Sequence, residues 1–362
     1  MIISRTPYRI SFFGGGTDYP AWYRSFGGAV LATAIDKYCY LTCRFLPPFF
    51  EHRTRVVYSK IETVQCTDDI AHPAVREVLK YLNVTRGVEI HHDGDLPARS
   101  GMGSSSSFTV GLLNALHALH GRVLSKQQLA EQSICIEQVR LQEAVGSQDQ
   151  VMAAYGGFNH VVFHPSGEIT VRPMTLPRER IRELNDHLML FYTGIKRTST
   201  QISSTYANNV EAKKRQLELM KDLVNESIEV LAKGGNILRF GELLRDAWVA
   251  KRSLSDSVSN AHVDEIYEQA LSAGAIGGKL TGAGGGGFML LFVPPSEQKK
   301  VRRKLKQLLH MPFQFEYGGS QIIFFDPEND YSAEEKARER LPIQAFRELD
   351  EVNLQPFSQP VQ

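Results

Sequence analysis

The sequence predicts an α+β protein of two domains followed by a polar tail. Three observations carry that reading. At 362 residues the chain is long enough for about two domains. Its first part is dominated by strand-like runs of β-branched and aromatic residues, whereas its second part opens with one strand, continues in long helical patterns and closes with short strands. Between them stands the charged run Pro177-Arg178-Glu179-Arg180-Ile181-Arg182-Glu183, which suggests a division into residues 1–183, 184–326 and a tail from 327 to 362.

Composition narrows the function classes. Hydrophobic residues make up 42%, and 41 basic residues against 40 acidic ones leave a formal charge of +1. Nothing in that balance draws the whole surface to nucleic acid or to a membrane, so any anion site is local. No run approaches the ~18 apolar residues of a spanning helix, and Met1 to Arg5 lacks the apolar region of a signal peptide. A cytoplasmic location is expected. Cys39, Cys43, Cys66 and Cys135 are few and scattered, without a paired CxxC, and read as reduced thiols. Cys39 and Cys43 fall in a β-like run and are expected to pack.

Taken in order, Ile2 to Phe13 reads as a strand delivering a glycine turn, Gly14-Gly15-Gly16-Thr17-Asp18-Tyr19-Pro20. Strand-like runs follow at Ala29 to Ile35, Lys37 to Leu46 and Thr54 to Tyr58, with a short helix over His72 to Leu82 and a strand over Gly87 to His92. That strand feeds Asp95 to Ser107, a loop of two glycines and four consecutive serines. Phe108, Leu112, Leu116 and Leu119 recur at helical offsets, so a helix is predicted to begin where the serines stop. Ser125 is expected to cap the next helix, which runs to about Glu143. Ala144 to Gln150 reads as a small-residue turn carrying a carboxylate, and Asn159 to Pro173 as a hairpin. The second half opens with a strand, His187 to Tyr192. Helical patterns follow over Asn209 to Lys233, Ile237 to Asp256 and His262 to Ala273. After the glycines at 282–287 come a strand, Phe288 to Val293, and a helix, Ser296 to Leu309. Strands at Pro312 to Tyr317 and Gln321 to Phe325 are expected to complete the second unit, and Ser332 to Leu341 is helical in character.

A glycine loop entering a helix N-terminus can hold a phosphate, because the first N–H groups there lack acceptors and the dipole favours negative charge. A serine hydroxyl beside it can ligate Mg²⁺. The same stretch also reads as an ordinary serine-rich N-cap. Neither this loop nor Lys279 to Gly287 has the Walker form, and neither fits the dinucleotide fingerprint. Each is pinned against a predicted helix or strand, so the two are expected to wall one site.

With its spacing, the chain resembles the GHMP kinase superfamily. The three motifs stand as Pro7-Tyr8-Arg9-Ile10-Ser11-Phe12-Phe13-Gly14-Gly15-Gly16-Thr17-Asp18-Tyr19, as Pro97 to Ser105, and as Leu280 to Gly287. Gly146-Ser147-Gln148-Asp149-Gln150 resembles the segment that carries the catalytic aspartate of galactokinases. The likeness runs from about residue 5 to 325. It implies an N-terminal domain like ribosomal protein S5 domain 2 and a C-terminal ferredoxin-like sandwich, with ATP and Mg²⁺ as cofactors.

By that resemblance, Gly101, Gly103, Ser104, Ser105 and Ser106 would wrap the ATP phosphates, and Gly282, Ala283, Gly284 and Gly285 would close the site from the second domain. Ser105 and Glu137 would ligate the metal. Asp149 would take the proton from the acceptor hydroxyl, with Arg9 beside it keeping it ionised, and Gly16, Thr17 and Asp18 would meet the sugar. Galactokinases carry Glu-His where this chain has Gly15-Gly16, which argues against galactose. Arg5 to Pro20, Gly27 to Val30, Ile35 to Tyr38 and Tyr192 to Gly194 resemble the bacterial heptose phosphate kinases and the kinase domain of fucokinase instead. A substrate that already bears a phosphate needs a further cation. Lys196 and Arg197 are the preferred pair, and Arg99, Lys37 and Lys251-Arg252 are the other candidates. A kinase for a free sugar such as fucose, and a catalytically silent sensor on the same fold, stay open. So does a homodimer.

Overall fold

The computed structural model describes residues 1–48, 50, 52–195, 213–327 and 331–340. Two long antiparallel strands, β1 (Ile2–Phe13) and β2 (Gly28–Phe45), form the spine of a nine-stranded sheet. The two strand runs expected at 29–46 are one strand. A register shift opposite Pro7 and Tyr8 leaves Asp36 and Lys37 unpaired with β1, so the strand continues past the polar interruption. From Thr6 onward every residue of β1 is buried, which requires cover on both faces.

Helix α1 (Pro20–Phe26), which the sequence reading lacked, follows the first glycine turn. Beyond β2 the sheet continues through β5 (Val88–Gly94) to β3 (Thr54–Val57), which is parallel to it, and β4 (Ile61–Val64) at the edge. The hairpin of β6 (Phe158–Phe163) and β7 (Ile169–Pro173) pairs with the start of β2. Helix α2 (Pro73–Tyr81) covers one end of helix α3 (Ser104–Leu119). α3 lies across β1 and β2. Gly111 makes that approach close, since a Cβ there would meet Thr6 Oγ1 at 2.8 Å.

Strands β8 (Leu188–Tyr192), β9 (Gly277–Leu280), β10 (Phe288–Phe292) and β11 (Leu309–His310) make a second, antiparallel sheet in the order β11-β8-β10-β9. Trp248, Tyr267, Phe191 and Leu291 share its core. The charged run at 177–183 belongs to a helix, Arg178–Asp186, that buries Leu184. The two last strands depart from expectation. β12 (Phe315–Glu316) pairs with β2 and β13 (Gln321–Phe325) with β1, so both join the first sheet and not the second. For β13 the physical reason is the open edge of β1, whose N–H and C=O groups need a partner strand.

Among the described residues no helix is long and apolar enough to cross a membrane. The four cysteines are free thiols, and burial in β2 raises the pKa of both Cys39 and Cys43, as suits a packing role.

Candidate active site

The serines do not precede α3; they form its first turn. Gly103, at φ +75°, precedes it, and no side chain caps the end. A left-handed residue there re-aims the chain at no steric cost, and the N–H groups of Ser104, Ser105 and Ser106 have no intrahelical acceptor. Ser107 is drawn away to anchor the helix, its hydroxyl donating to the Pro7 carbonyl at 2.8 Å.

Arg9 reaches this turn from β1. Its backbone N–H donates to the Met102 carbonyl at 3.1 Å and its Nη1 to the Gly101 carbonyl at 2.8 Å. The rest of the guanidinium grips Asp149 through two bonds, Nε to Oδ1 at 2.7 Å and Nη2 to Oδ2 at 2.6 Å. Such a fork fixes the carboxylate in plane as well as in distance. Side-chain exposure is 5% for Arg9 and 26% for Asp149, so only the carboxylate faces outward. A Cβ on Gly103 would crowd Arg9 Cγ at 3.2 Å, and at φ +75° any other residue would be strained. Asp149 sits in the first turn of helix α5 (Gln148–Tyr155), not in the turn expected for it.

Glu137 arrives by another route. Helix α4 (Lys126–Ile134) opens with the expected Ser125 cap, here a capping box with Gln128, and passes into a π-helical turn at Cys135–Arg140. That wider turn carries Glu137, which is buried against Ser106 and Gln150. Ser106 Oγ donates to Oε2 at 2.9 Å and Gln150 Nε2 to the same oxygen at 2.5 Å, while Oε1 has no hydrogen-bond partner among the described residues. Burial pushes its carboxyl up to about 8; the neighbouring charges of Glu143 and Asp149 add to the shift, and the Ser106 and Gln150 bonds oppose it. The hydroxyl that meets Glu137 is therefore Ser106. Ser105, expected to share a metal ion with Glu137, stands exposed one position earlier.

The first glycine turn also differs from expectation. Thr17 is fully buried, its hydroxyl bonded among the Gly14 carbonyl, the Ala29 carbonyl and the Ala29 N–H, so it braces the turn and is not open to a sugar. Asp18, 1% exposed, accepts from Gly16 N at 2.8 Å and from Gln148 N at 3.3 Å, and its own carbonyl accepts from Ser147 N. It clips the turn to the start of α5. Gly146 makes room, because a Cβ there would lie 1.9 Å from Asp18 Oδ2. Burial, then the charge of Asp149, raises the Asp18 carboxyl to about 6 against the pull of its N–H donors. Gly16, at φ +103°, supplies one of those donors.

The two long glycine stretches meet. A Cβ on Gly101 would lie 2.8 Å from the Thr281 carbonyl, and one on Gly287 would lie 2.1 Å from the Ser100 carbonyl. Gly282, Gly284 and Gly285 all have positive φ, and Gly285 N donates to the Val258 carbonyl. Ala283 is partly buried among them. The helix Leu238–Arg252 supports the stretch through Lys251, whose ammonium donates to the Leu280 carbonyl at 2.8 Å and the Gly282 carbonyl at 2.5 Å. Lys251 is thus committed to backbone, Arg252 pairs with Asp264 and Lys37 with Asp36, while Arg99 is exposed at φ +61°. Lys196 and Arg197 lie outside the described residues. Sequence reasoning missed Gln150 and Lys279. Gln150 lay one position from Asp149, but its reach to Glu137 depends on α5 being a helix. Lys279 stood directly before the third motif.

Two family models match the chain: GHMP kinases N terminal domain over residues 69–157 and GHMP kinases C terminal over 219–310, together half of its length. The chain is 28% identical over 295 residues to a D-glycero-alpha-D-manno-heptose 7-phosphate kinase of Campylobacter jejuni, covering 78% of this chain and 86% of that one. It is 26% identical to a galactokinase of Thermococcus kodakarensis, covering 77% and 85%. The fold superposes on the crystal structure of a D-glycero-D-manno-heptose 1-phosphate kinase from Bacteroides thetaiotaomicron with a TM-score of 0.74 at 23% identity, over 90% of this chain and 100% of the other.

Proposed function

The chain belongs to the GHMP kinase family of ATP-dependent phosphotransferases, and from that premise we propose that it phosphorylates the anomeric hydroxyl of a D-glycero-D-manno-heptose 7-phosphate. The product would be the 1,7-bisphosphate, a precursor of nucleotide-activated heptose for surface polysaccharide. That it is a sugar kinase follows from its relatives; the heptose is our reading. The observation that carries the chemistry is the Arg9–Asp149 fork held against the glycine loop.

Phosphoryl transfer asks a protein mainly for positioning and charge stabilisation. Asp149, the less buried partner of the fork, takes the proton from the attacking hydroxyl. Arg9 aims that carboxylate and brings positive charge beside the transferring group. The N–H groups of the α3 first turn receive phosphate oxygens, and the glycines at 282–285 close over them. Glu137 fits a divalent cation, since a buried carboxyl with one unpartnered oxygen is a hard-oxygen ligand awaiting charge, and the Ser105 hydroxyl is exposed on the same turn. Glu137 and Ser105 would hold Mg²⁺ there, and its charge would offset that of the phosphates.

A substrate panel with coupled ADP detection tests this reading. Heptose 7-phosphate should give the highest kcat/KM, and Asp149→Asn should lower kcat by about 10²- to 10⁴-fold while nucleotide binding persists. Near-normal turnover in that variant would remove Asp149 as the base. A kinase for a free sugar is the second reading. It is favoured by the commitment of Lys37, Lys251 and Arg252 to other partners. Arg197→Ala should impair turnover of the phosphorylated sugar alone; an equal loss on free sugars would favour the second reading.

A further inference from the structure

Lys279 lies on β9, the strand that runs into the third glycine stretch, and is only 3% exposed. Its ammonium crosses to the first sheet and donates to the Phe12 carbonyl of β1 at 2.8 Å, three residues beyond Arg9. The register Leu290↔Lys279 fixes it on the second sheet, and the glycines before it leave no slack. A Cβ on Gly277 would meet the Gly241 carbonyl at 2.1 Å, and one on Gly278 the Leu290 carbonyl at 2.4 Å. An ammonium so buried is costly unless a charge compensates it. The charges that act on it are Asp18, favourably, and Arg9, unfavourably. From the helix packed on β9 comes Lys251, bonded to the Leu280 and Gly282 carbonyls, while β10 presents Leu290.

We propose that Lys279 is a positioning residue for the Arg9–Asp149 pair: it ties β9 to β1 at Phe12 and balances Asp18, whose carboxylate clips the glycine turn to the start of the helix bearing Asp149. Three contacts thus tie together the segments that carry the reacting pair. Lys279 holds the end of β1, Asp18 holds the start of α5, and the Arg9–Asp149 bonds join the two. The role rests on Arg9 and Asp149 forming the reacting centre, and is independent of which sugar is accepted. Failure of that premise would appear separately, as normal turnover in Asp149→Asn.

The protonated lysine is the competent form. Burial, with the charge of Arg9, lowers its ammonium to about 7, partly offset by Asp18. As pH rises through that value the proton is lost, Asp18 loses its counter-charge, and kcat falls. The test is the pH profile of kcat from 6 to 9 for wild type, Lys279→Met and Lys279→Arg, using any sugar that supports ADP release. Wild type should show a basic limb. Lys279→Met should lose about tenfold or more in kcat at pH 6.5 with KM for ATP within about threefold, because an interaction that shapes the transition state rather than binding has been removed. Lys279→Arg should recover most of the rate and lose the basic limb, since a guanidinium stays charged throughout. A flat wild-type profile, an unchanged limb in Lys279→Arg, or wild-type kcat in Lys279→Met would overturn the proposal. If both variants fail to fold, the wild-type profile is compared with that of Asp18→Asn, which removes the charge that Lys279 balances: a basic limb moved to lower pH supports the proposal, and an unmoved limb overturns it.

Discussion

Every directed contact of the Arg9 side chain goes to a residue more than ninety positions away, two to Asp149 and one to Gly101. A lysine there could not replace it, because only a planar fork meets both carboxylate oxygens and a carbonyl at once. Asp18 shows the complementary case, a charge held indoors by two N–H donors. Its folded pKa of about 6 lies above the unfolded value near ~3.9, so between those values the native state binds the extra proton. Its contribution to stability is therefore fully present below about pH 4 and lost as pH rises to about 6, an effect on the order of 3 kcal/mol by linkage. Chemical denaturation at a series of pH values should show that slope, and Asp18→Asn should flatten it. A slope unchanged by the substitution would assign it to other groups.

At the scale of elements, two helices owe their site to a local irregularity. α3 begins at Gly103 because a left-handed glycine ends the loop, and the serines that look like loop in composition become helix. α4 begins at a capping box and ends in a π-turn, which rotates Glu137 toward Ser106. The cap was legible at Ser125; the π-turn was not, since Cys135 to Arg140 has no composition that separates it from ordinary helix. These two ends act independently. Ser125→Ala should cost about 1 kcal/mol and lower the melting temperature by about 2–4 °C, with kcat unchanged because Ser106 and Gln150 still hold Glu137. A large loss of activity in that variant would show that the cap and the π-turn are coupled.

At the scale of the molecule, the chain closes on itself. After completing the second sheet it returns to the first, where β13 covers the edge of β1 and the Asp326 N–H donates to the Met1 carbonyl. Ser320, in the loop between β12 and β13, adds bonds to Thr6 and Asn114. A chain ending at Gly319 should therefore expose the β1 edge, melt at lower temperature and aggregate. Circular dichroism with light scattering checks this, and a melting curve like that of the full chain would show that β13 is dispensable.

Beyond the resemblance that points to Arg9, Glu137 and Asp149, the sequence by itself determined most of the strands and helices in their order and the three glycine-bearing motifs. Those signals are local: apolar periodicity, turn chemistry and spacing along the chain. Only the tertiary structure decided which hydroxyl faces Glu137, that Thr17 and Asp18 point inward, that Lys279 crosses to Phe12, and that β12 and β13 belong to the first sheet. The physical reason is common to all four. Each depends on which buried hydrogen-bonding group lacks a partner once the sheets have packed, and that need arises between segments far apart in the chain.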